Sequence, residues 1–163
     1  KQTKSISEYQ NLSKTYTGKF KLGESTLSYD AETDVNKKFK YEHITLDDLK
    51  NLADEFIGRN MQKPPIFSAI KKDGKRLYEY ARENKEIDID EREIDIYNFE
   101  IIDFTSPYVN FKIECSKGTY IRSIANDFGK RLNSGSYLYE LRRTKIGDFC
   151  VLNAMDINID VKT

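Results

Sequence analysis

The sequence predicts an α+β fold: a mixed, mainly antiparallel sheet with flanking helices. Three observations carry this. Val109, Phe111, Ile113 and Cys115 alternate with Asn110, Lys112, Glu114 and Ser116, the period of a half-buried strand. Ile121, Ile124, Ala125, Phe128 and Leu132 recur at helical offsets and make an apolar stripe. Strands and helices also mix without the regular spacing of βαβ units. At 163 residues the chain predicts a single domain over 1–163, long enough to bury roughly two thirds of its unfolded surface.

The elements follow in order. Residues 4–12 read as a short helix, followed by an extended stretch in which Tyr16, Gly18, Phe20 and Leu22 alternate. Residues 25–34 form a polar, acidic loop or strand end. Thr45 caps a helix, with Asp48 three residues on completing a capping box. Leu46, Leu49, Leu52, Ala53, Phe56 and Ile57 supply its apolar face, and Gly58 its stop. Residues 61–76 are turn-rich and basic. Pro64-Pro65 excludes helix there and predicts an exposed, extended arm. Residues 76–86 read as a helix. Residues 92–106 read as a strand whose alternation breaks near Asn98, the sign of a bulge. A second strand over 106–116 leads through "KGTYIR" into a helix over 119–133, and residues 137–152 end in a strand-like tail.

Composition excludes several classes. With 33% charged residues, 11 Tyr and 9 Phe, the chain is a folded, well-solvated globule. No apolar run approaches a membrane span, and Lys1 does not open a signal peptide. A Cys/His zinc site needs about four clustered ligands, whereas Cys115, Cys150 and His43 are scattered. Cys115 reads as a buried core thiol. Two cysteines without a secretory signal fit a reducing cytoplasm. "SAIK" at 68–71 lacks the companion motifs of serine acyl-enzymes.

Formal net charge is zero, but the charge is segregated. Residues 117–145 carry net +5, residues 63–76 net +4, and residues 83–103 net −7. Local field, more than the total, steers a polyanion. The cations also sit beside aromatics at element ends. Tyr16 follows Lys14, Tyr120 and Arg122 open a helix, and Leu141, Arg142 and Arg143 lie beyond a glycine-containing turn. Aromatic faces interleaved with cations suit unstacked bases and their phosphates. Each tyrosine taken singly is more simply a core residue with its hydroxyl satisfied.

"KGTYIRSIANDFGKRL" followed by "LRRTKIGDF" resembles the end of the catalytic domain in the TruB family, the bacterial tRNA pseudouridine-55 synthases. "PPIFSAIKKDGKRLYEYAR" is similar to that family's P-x-x-S-A-x-K-x-x-G-x-x-x-Y-x-x-A-R segment, and "SKTYTGKFKLG" to its K-x-Y strand. The resemblance implies a partial pseudouridine synthase fold, the C-terminal part of the catalytic domain. It implies isomerisation of the T-loop uridine 55 of tRNA by breaking C1′–N1 and rejoining the ring through C5, with no cofactor and no metal. The base must leave its stack to be reached. By position, Tyr16 would stack on the flipped base, Tyr120 would line the pocket and Leu141 would pack against the base. Arg122 would pair with the nucleophilic aspartate, keeping it ionised. Lys14, Lys71, Lys72, Lys75, Lys117, Arg142 and Arg143 would bind the RNA, with residues 63–82 as a basic arm gripping the T loop. A monomer in the cytoplasm is implied.

The family's G-x-x-D-P-x-A-x-G-x-L motif, which bears the aspartate, is not among these 163 residues; its expected place is just before "KQTK". No other aspartate is expected to substitute, Asp30 and Asp34 lying in a polar loop and Asp127 a helix turn or more beyond Arg122. Asn133 stands where glycine is usual and Ser136 where alanine is usual; asparagine tolerates the left-handed conformation a helix end often needs. By the resemblance, these residues are expected to stop shortly after the catalytic domain, short of the full C-terminal RNA-binding domain many relatives carry. A non-catalytic RNA-binding protein derived from the fold, and a fragment with no independent activity, are the rival readings.

Overall fold

A computed structural model describes residues 13–67, 71–83, 88–146 and 149–150. Its elements are β1 (Lys14–Leu22), β2 (Glu24–Thr26), β3 (Val35–Lys38), α1 (Leu46–Phe56), β4 (Gly58–Gln62), β5 (Lys71–Lys72) and β6 (Lys75–Arg76). They continue with α2 (Leu77–Arg82), β7 (Arg92–Thr105), β8 (Tyr108–Cys115), α3 (Ile121–Arg131), β9 (Ser136–Ile146) and β10 (Phe149–Cys150). The helix expected over residues 4–12 lies outside the described residues.

Six strands form one sheet in the order β10-β9-β1-β8-β7-β4. Its strand pairs are antiparallel, and among the described residues the parallel contact is an isolated bridge between Asp30 and Leu138. β1 is bonded on both sides, with Tyr16 opposite Ile113 of β8 and Arg143 of β9. The expected bulge appears as a register shift between Ile96 and Asn98, and a second follows between Ile101 and Asp103.

The inner face carries the predicted alternation. Val109, Phe111, Ile113 and Cys115 are buried, and Ile121, Ile124 and Phe128 of α3 pack on them with Leu132 at the margin. α1 closes the same face through Leu49, Leu52, Ala53 and Phe56. Its capping box is formed: Asp48 N–H donates to Thr45 Oγ1 at 3.1 Å, and Thr45 N–H to Asp48 Oδ2 at 3.0 Å. Leu46 and Ile57, expected on its apolar face, are instead exposed, because they flank the two ends of an eleven-residue helix. Five phenylalanines meet beneath the helices. Phe128 lies 5.4 Å from both Phe20 and Phe99 and 5.7 Å from Phe56, and Phe20 stacks on Phe111 at 4.2 Å.

Three expectations change. Residues 58–62, not read as a strand, form the edge strand β4 paired with β7. Pro64 and Pro65 are buried, so the chain leaves β4 pressed against the body. The basic segment continues instead as a hairpin, in which Lys71 and Lys72 pair with Arg76 and Lys75 across an exposed Asp73-Gly74 turn. Both turn residues have positive φ, 54° and 79°, as a two-residue hairpin loop requires. Asn133 adopts φ 57° after α3, the conformation for which asparagine stands in for glycine. The Ser136 hydroxyl, where alanine is usual, is satisfied by the Ala125 carbonyl of α3.

Phe128→Ala should lower stability by about 4 kcal/mol, since it opens a cavity among three rings; urea unfolding of the chain would measure it. Burial pushes the Cys115 thiol up to about 12. Its folded value exceeds the unfolded one, so its contribution to stability is intact below pH 9 and is lost as pH rises toward 12. At pH 8 a thiol reagent should label Cys115 only as fast as the protein unfolds.

Candidate active site

Tyr120 is the N-cap residue of α3 and Arg122 its second residue. Gly118, at φ 82°, turns the chain out of β8 so that the helix starts over the sheet. The Arg122 side chain points inward and is only 7% exposed. Its Nη1 lies 3.7 Å from Asp30 Oδ2 and donates to the Ser28 carbonyl at 3.3 Å.

Asp30 is therefore not a solvated loop residue. It is 9% exposed and firmly held. Ser28 Oγ donates to Asp30 Oδ1 at 2.5 Å and the Glu32 amide donates to it at 3.0 Å. The loop is tied to the sheet where the Leu138 amide donates to the Tyr29 carbonyl at 2.9 Å, with Tyr29 itself at φ 69°. A bulky residue in the left-handed region is strained, and here it turns the following carboxylate toward α3. Local turn chemistry around Ser28 and Asp30 is visible in the sequence. The arginine, 94 residues beyond Ser28, is not.

Tyr16 is fully buried near the start of β1. Two residues on, Gly18 faces Leu141 of β9, and a Cβ at Gly18 would stand 2.1 Å from the Glu140 carbonyl oxygen. Glycine is required for β1 and β9 to close. By register Lys14, Tyr16, Leu141 and Arg143 share the inner face, the face that carries α3. A cavity of about 240 Å³ is lined by Asp30, Ala31, Glu32 and β9 from Leu138 to Leu141. Leu141 and the arginine-bound carboxylate thus border one space.

The remaining residues are elsewhere. Arg142 pairs in register with Thr17 on the outer face and is exposed, so it is not grouped with Arg143. Alternation along β9 separates the two arginines. Lys117 is exposed on the turn before Tyr120. Lys72 Nζ donates to the Asp88 carbonyl. Lys75 Nζ pairs with Glu83 at 2.5 Å and lies over the Tyr80 ring at 4.9 Å. Lys71 contributes backbone pairing to the hairpin. Asp127 lines a different cavity, of about 320 Å³, with Phe56, Ile94, Ile96 and Lys130, and burial raises its carboxyl. That cavity shares no lining residue with the one at Asp30.

The arrangement offers a shielded guanidinium, a carboxylate fixed beside it and an apolar wall. Asp30→Ala leaves a buried cation without this partner and should cost about 3 kcal/mol, the low end of the range for breaking a buried pair. Asp34→Ala, in the same loop but exposed, should change stability by less than about 0.5 kcal/mol. Denaturant titration of the two variants would test the contrast.

The family model described as TruB family pseudouridylate synthase (N terminal domain) matches residues 1–121. A tRNA pseudouridine synthase B of Flavobacterium johnsoniae is 54% identical over 157 residues, covering 96% of this chain and 69% of the relative. The tRNA pseudouridine synthase B of Chloroherpeton thalassium is 46% identical over 159 residues, covering 97% of this chain and 66% of the relative. The chain thus spans about two thirds of the length of these relatives. Among solved structures, a chain of a Cbf5-Nop10-Gar1 complex superposes with a TM-score of 0.60 at 25% identity, covering 88% of this chain and 34% of that one. The sheet with its turn into α3, and sequence identity running along nearly the whole chain, agree: the chain belongs to the TruB family of pseudouridylate synthases.

Proposed function

We propose that this chain is the base-binding and arginine-bearing part of an enzyme that isomerises uridine 55 in the T loop of tRNA to pseudouridine. One observation carries the reading. The turn from β8 into α3 sets Tyr120 and a buried Arg122 over the inner face that holds Tyr16 and Leu141. A flipped uridine stacked on Tyr16 and packed by Leu141 would meet the guanidinium there.

The reaction needs a carboxylate nucleophile, because a good leaving path for the base requires a covalent or ion-paired partner at the sugar or ring. Arg122 would stabilise the charge of that carboxylate, and Asp30 would hold Arg122 in place from the other side. The nucleophile belongs to the G-x-x-D-P-x-A-x-G-x-L motif, which is not among these residues. The hairpin and α2, within residues 63–82, would grip the T-loop backbone, with Lys14, Lys117 and Arg143 nearer the flipped nucleotide. Arg142, on the outer face, would meet phosphate only if RNA wraps the β9 side of the sheet. No cofactor or metal is required by this chemistry, and a cytoplasmic monomer is the simplest setting. Among the described residues no helix is long and apolar enough to cross a membrane.

Tritium release from C5-labelled tRNA tests the chemistry. This chain alone should release none, and the protein that includes the aspartate motif should release it without added metal. Arg122→Ala in that protein should cut turnover at least about a hundredfold with little change in RNA affinity, since the guanidinium serves the carboxylate. Turnover by the chain alone would refute the missing-nucleophile argument, and an inert longer protein would favour an RNA-binding role. For the arm, replacing Lys71, Lys72 and Lys75 by alanine should weaken T-loop binding and lower the salt slope by about 0.7–0.9 for each phosphate no longer neutralised. An unchanged slope would reduce these lysines to surface charge.

A further inference from the structure

Gln62 ends β4, the edge strand, and is 4% exposed. Its side-chain amide spans 58 residues of sequence to reach one backbone unit. Gln62 Oε1 accepts the Tyr120 N–H at 2.8 Å, and Gln62 Nε2 donates to the Tyr120 carbonyl at 3.1 Å. One residue on, the Lys63 carbonyl accepts the Ser123 hydroxyl at 2.6 Å. Three bonds therefore staple the start of the basic segment to the start of α3.

The need for the staple is local. Tyr120 is an N-cap residue with extended backbone, φ −99° and ψ 112°, and its side chain makes no cap hydrogen bond. Its N–H points away from the helix and is satisfied by Gln62. Because both ends of the amide are engaged, Gln62 fixes the peptide plane on either side of Tyr120. That plane aims the Tyr120 ring, and two residues later the guanidinium of Arg122 toward Asp30.

We infer that Gln62 is a positioning residue for Tyr120 and Arg122, joining the RNA-gripping segment to the catalytic turn. The inference rests on the pseudouridine reading for its reaction, and on the bonds alone for the clamp. Gln62 is buried with both ends of its amide held by the Tyr120 backbone, so its loss lowers the rate of the chemical step and spares RNA binding. A leucine fills the same volume but neither donates nor accepts. A glutamate restores the pair only when protonated: neutral, it accepts from Tyr120 N–H and donates to the carbonyl, while ionised it faces that carbonyl with no proton to give. Burial raises the pKa of such a carboxyl, bringing the change into a workable pH range.

The test uses the longer protein that includes the aspartate motif, with single-turnover rate and tRNA dissociation constant measured well below the unfolding temperature. Gln62→Leu should lose about tenfold or more in rate, as small misplacements of reacting groups do, with affinity within about twofold. Gln62→Glu should be slow at pH 8.5 and recover toward wild type as pH falls to 6, while the ratio of Gln62→Leu to wild type stays flat. Wild-type rate in Gln62→Leu, a loss matched by weakened affinity, or a flat pH ratio for Gln62→Glu would overturn the inference. Should Gln62→Leu not fold, the pH ratio of Gln62→Glu decides. Hydrogen exchange at the Tyr120 amide separates the two readings: an inert wild type defeats the proposed reaction, whereas an exchange rate unchanged by Gln62→Leu defeats the clamp.

Discussion

The close approach of β1 and β9 at Gly18 is the constraint on which the other positions depend. β1 is the strand hydrogen-bonded to both β8 and β9 at the centre of the sheet, and a Cβ at Gly18 would collide with the Glu140 carbonyl. With the strands this close, Tyr16 falls opposite Arg143 and Leu141 lies against the same inner face. The register also decides which side of the sheet α3 can cover, since Phe20 and Phe111 stack beneath Phe128. A one-residue slip of β1 would turn Tyr16 outward, and a slip of β9 would do the same to Leu141. Sheet closure and site assembly are thus one event.

α3 then adds a directed charge to that register. Its stripe of Ile121, Ile124 and Phe128 is anchored in the core, which leaves Arg122, between Ile121 and Ile124, to point along the sheet toward the Asp30 loop. A buried ion pair of this kind adds little net stability, because desolvation offsets much of the attraction. It is better understood as fixing the direction of a charge. Asp30 receives two local hydrogen bonds and the loop is tied to β9, so the guanidinium meets an acceptor that does not move with it.

Much of this is legible in the sequence, and what is not has a common cause. The alternation of β8, the stripe of α3, the Thr45 box and the bulge near Asn98 are short-range patterns, and each appears where expected. β4 is hidden because the edge strand Gly58–Gln62 buries only Gln62 and shows no alternation. Asp30 is hidden because its partner lies on α3, and Gln62 because a backbone unit as partner leaves no side-chain signature. Pro64 and Pro65 read as exposed because proline excludes helix without saying which surface the extended chain lies on. Arg142 and Arg143 both read as RNA-binding because adjacency in sequence hides the two faces of a strand.

The segregated charge gains a physical meaning from its neighbours in the fold. The acidic stretch over 83–103 does not sit apart from the basic segment over 63–76 or from the cation that precedes it on β4. Lys75 pairs with Glu83, Lys72 donates to the Asp88 carbonyl, and Arg59 of β4 lies 3.3 Å from Glu93 and 3.7 Å from Asp95. These groups lie at the surface, partly or mostly exposed, and such pairs contribute about 0–1 kcal/mol each. Weak internal partners therefore hold the hairpin lysines in defined places without committing them. The buried pair at Arg122 behaves oppositely, because it is shielded from water and salt. Exchangeable charge at the rim and fixed charge at the centre would suit the proposed function, in which a polyanion is gripped reversibly while one of its bases is held for chemistry.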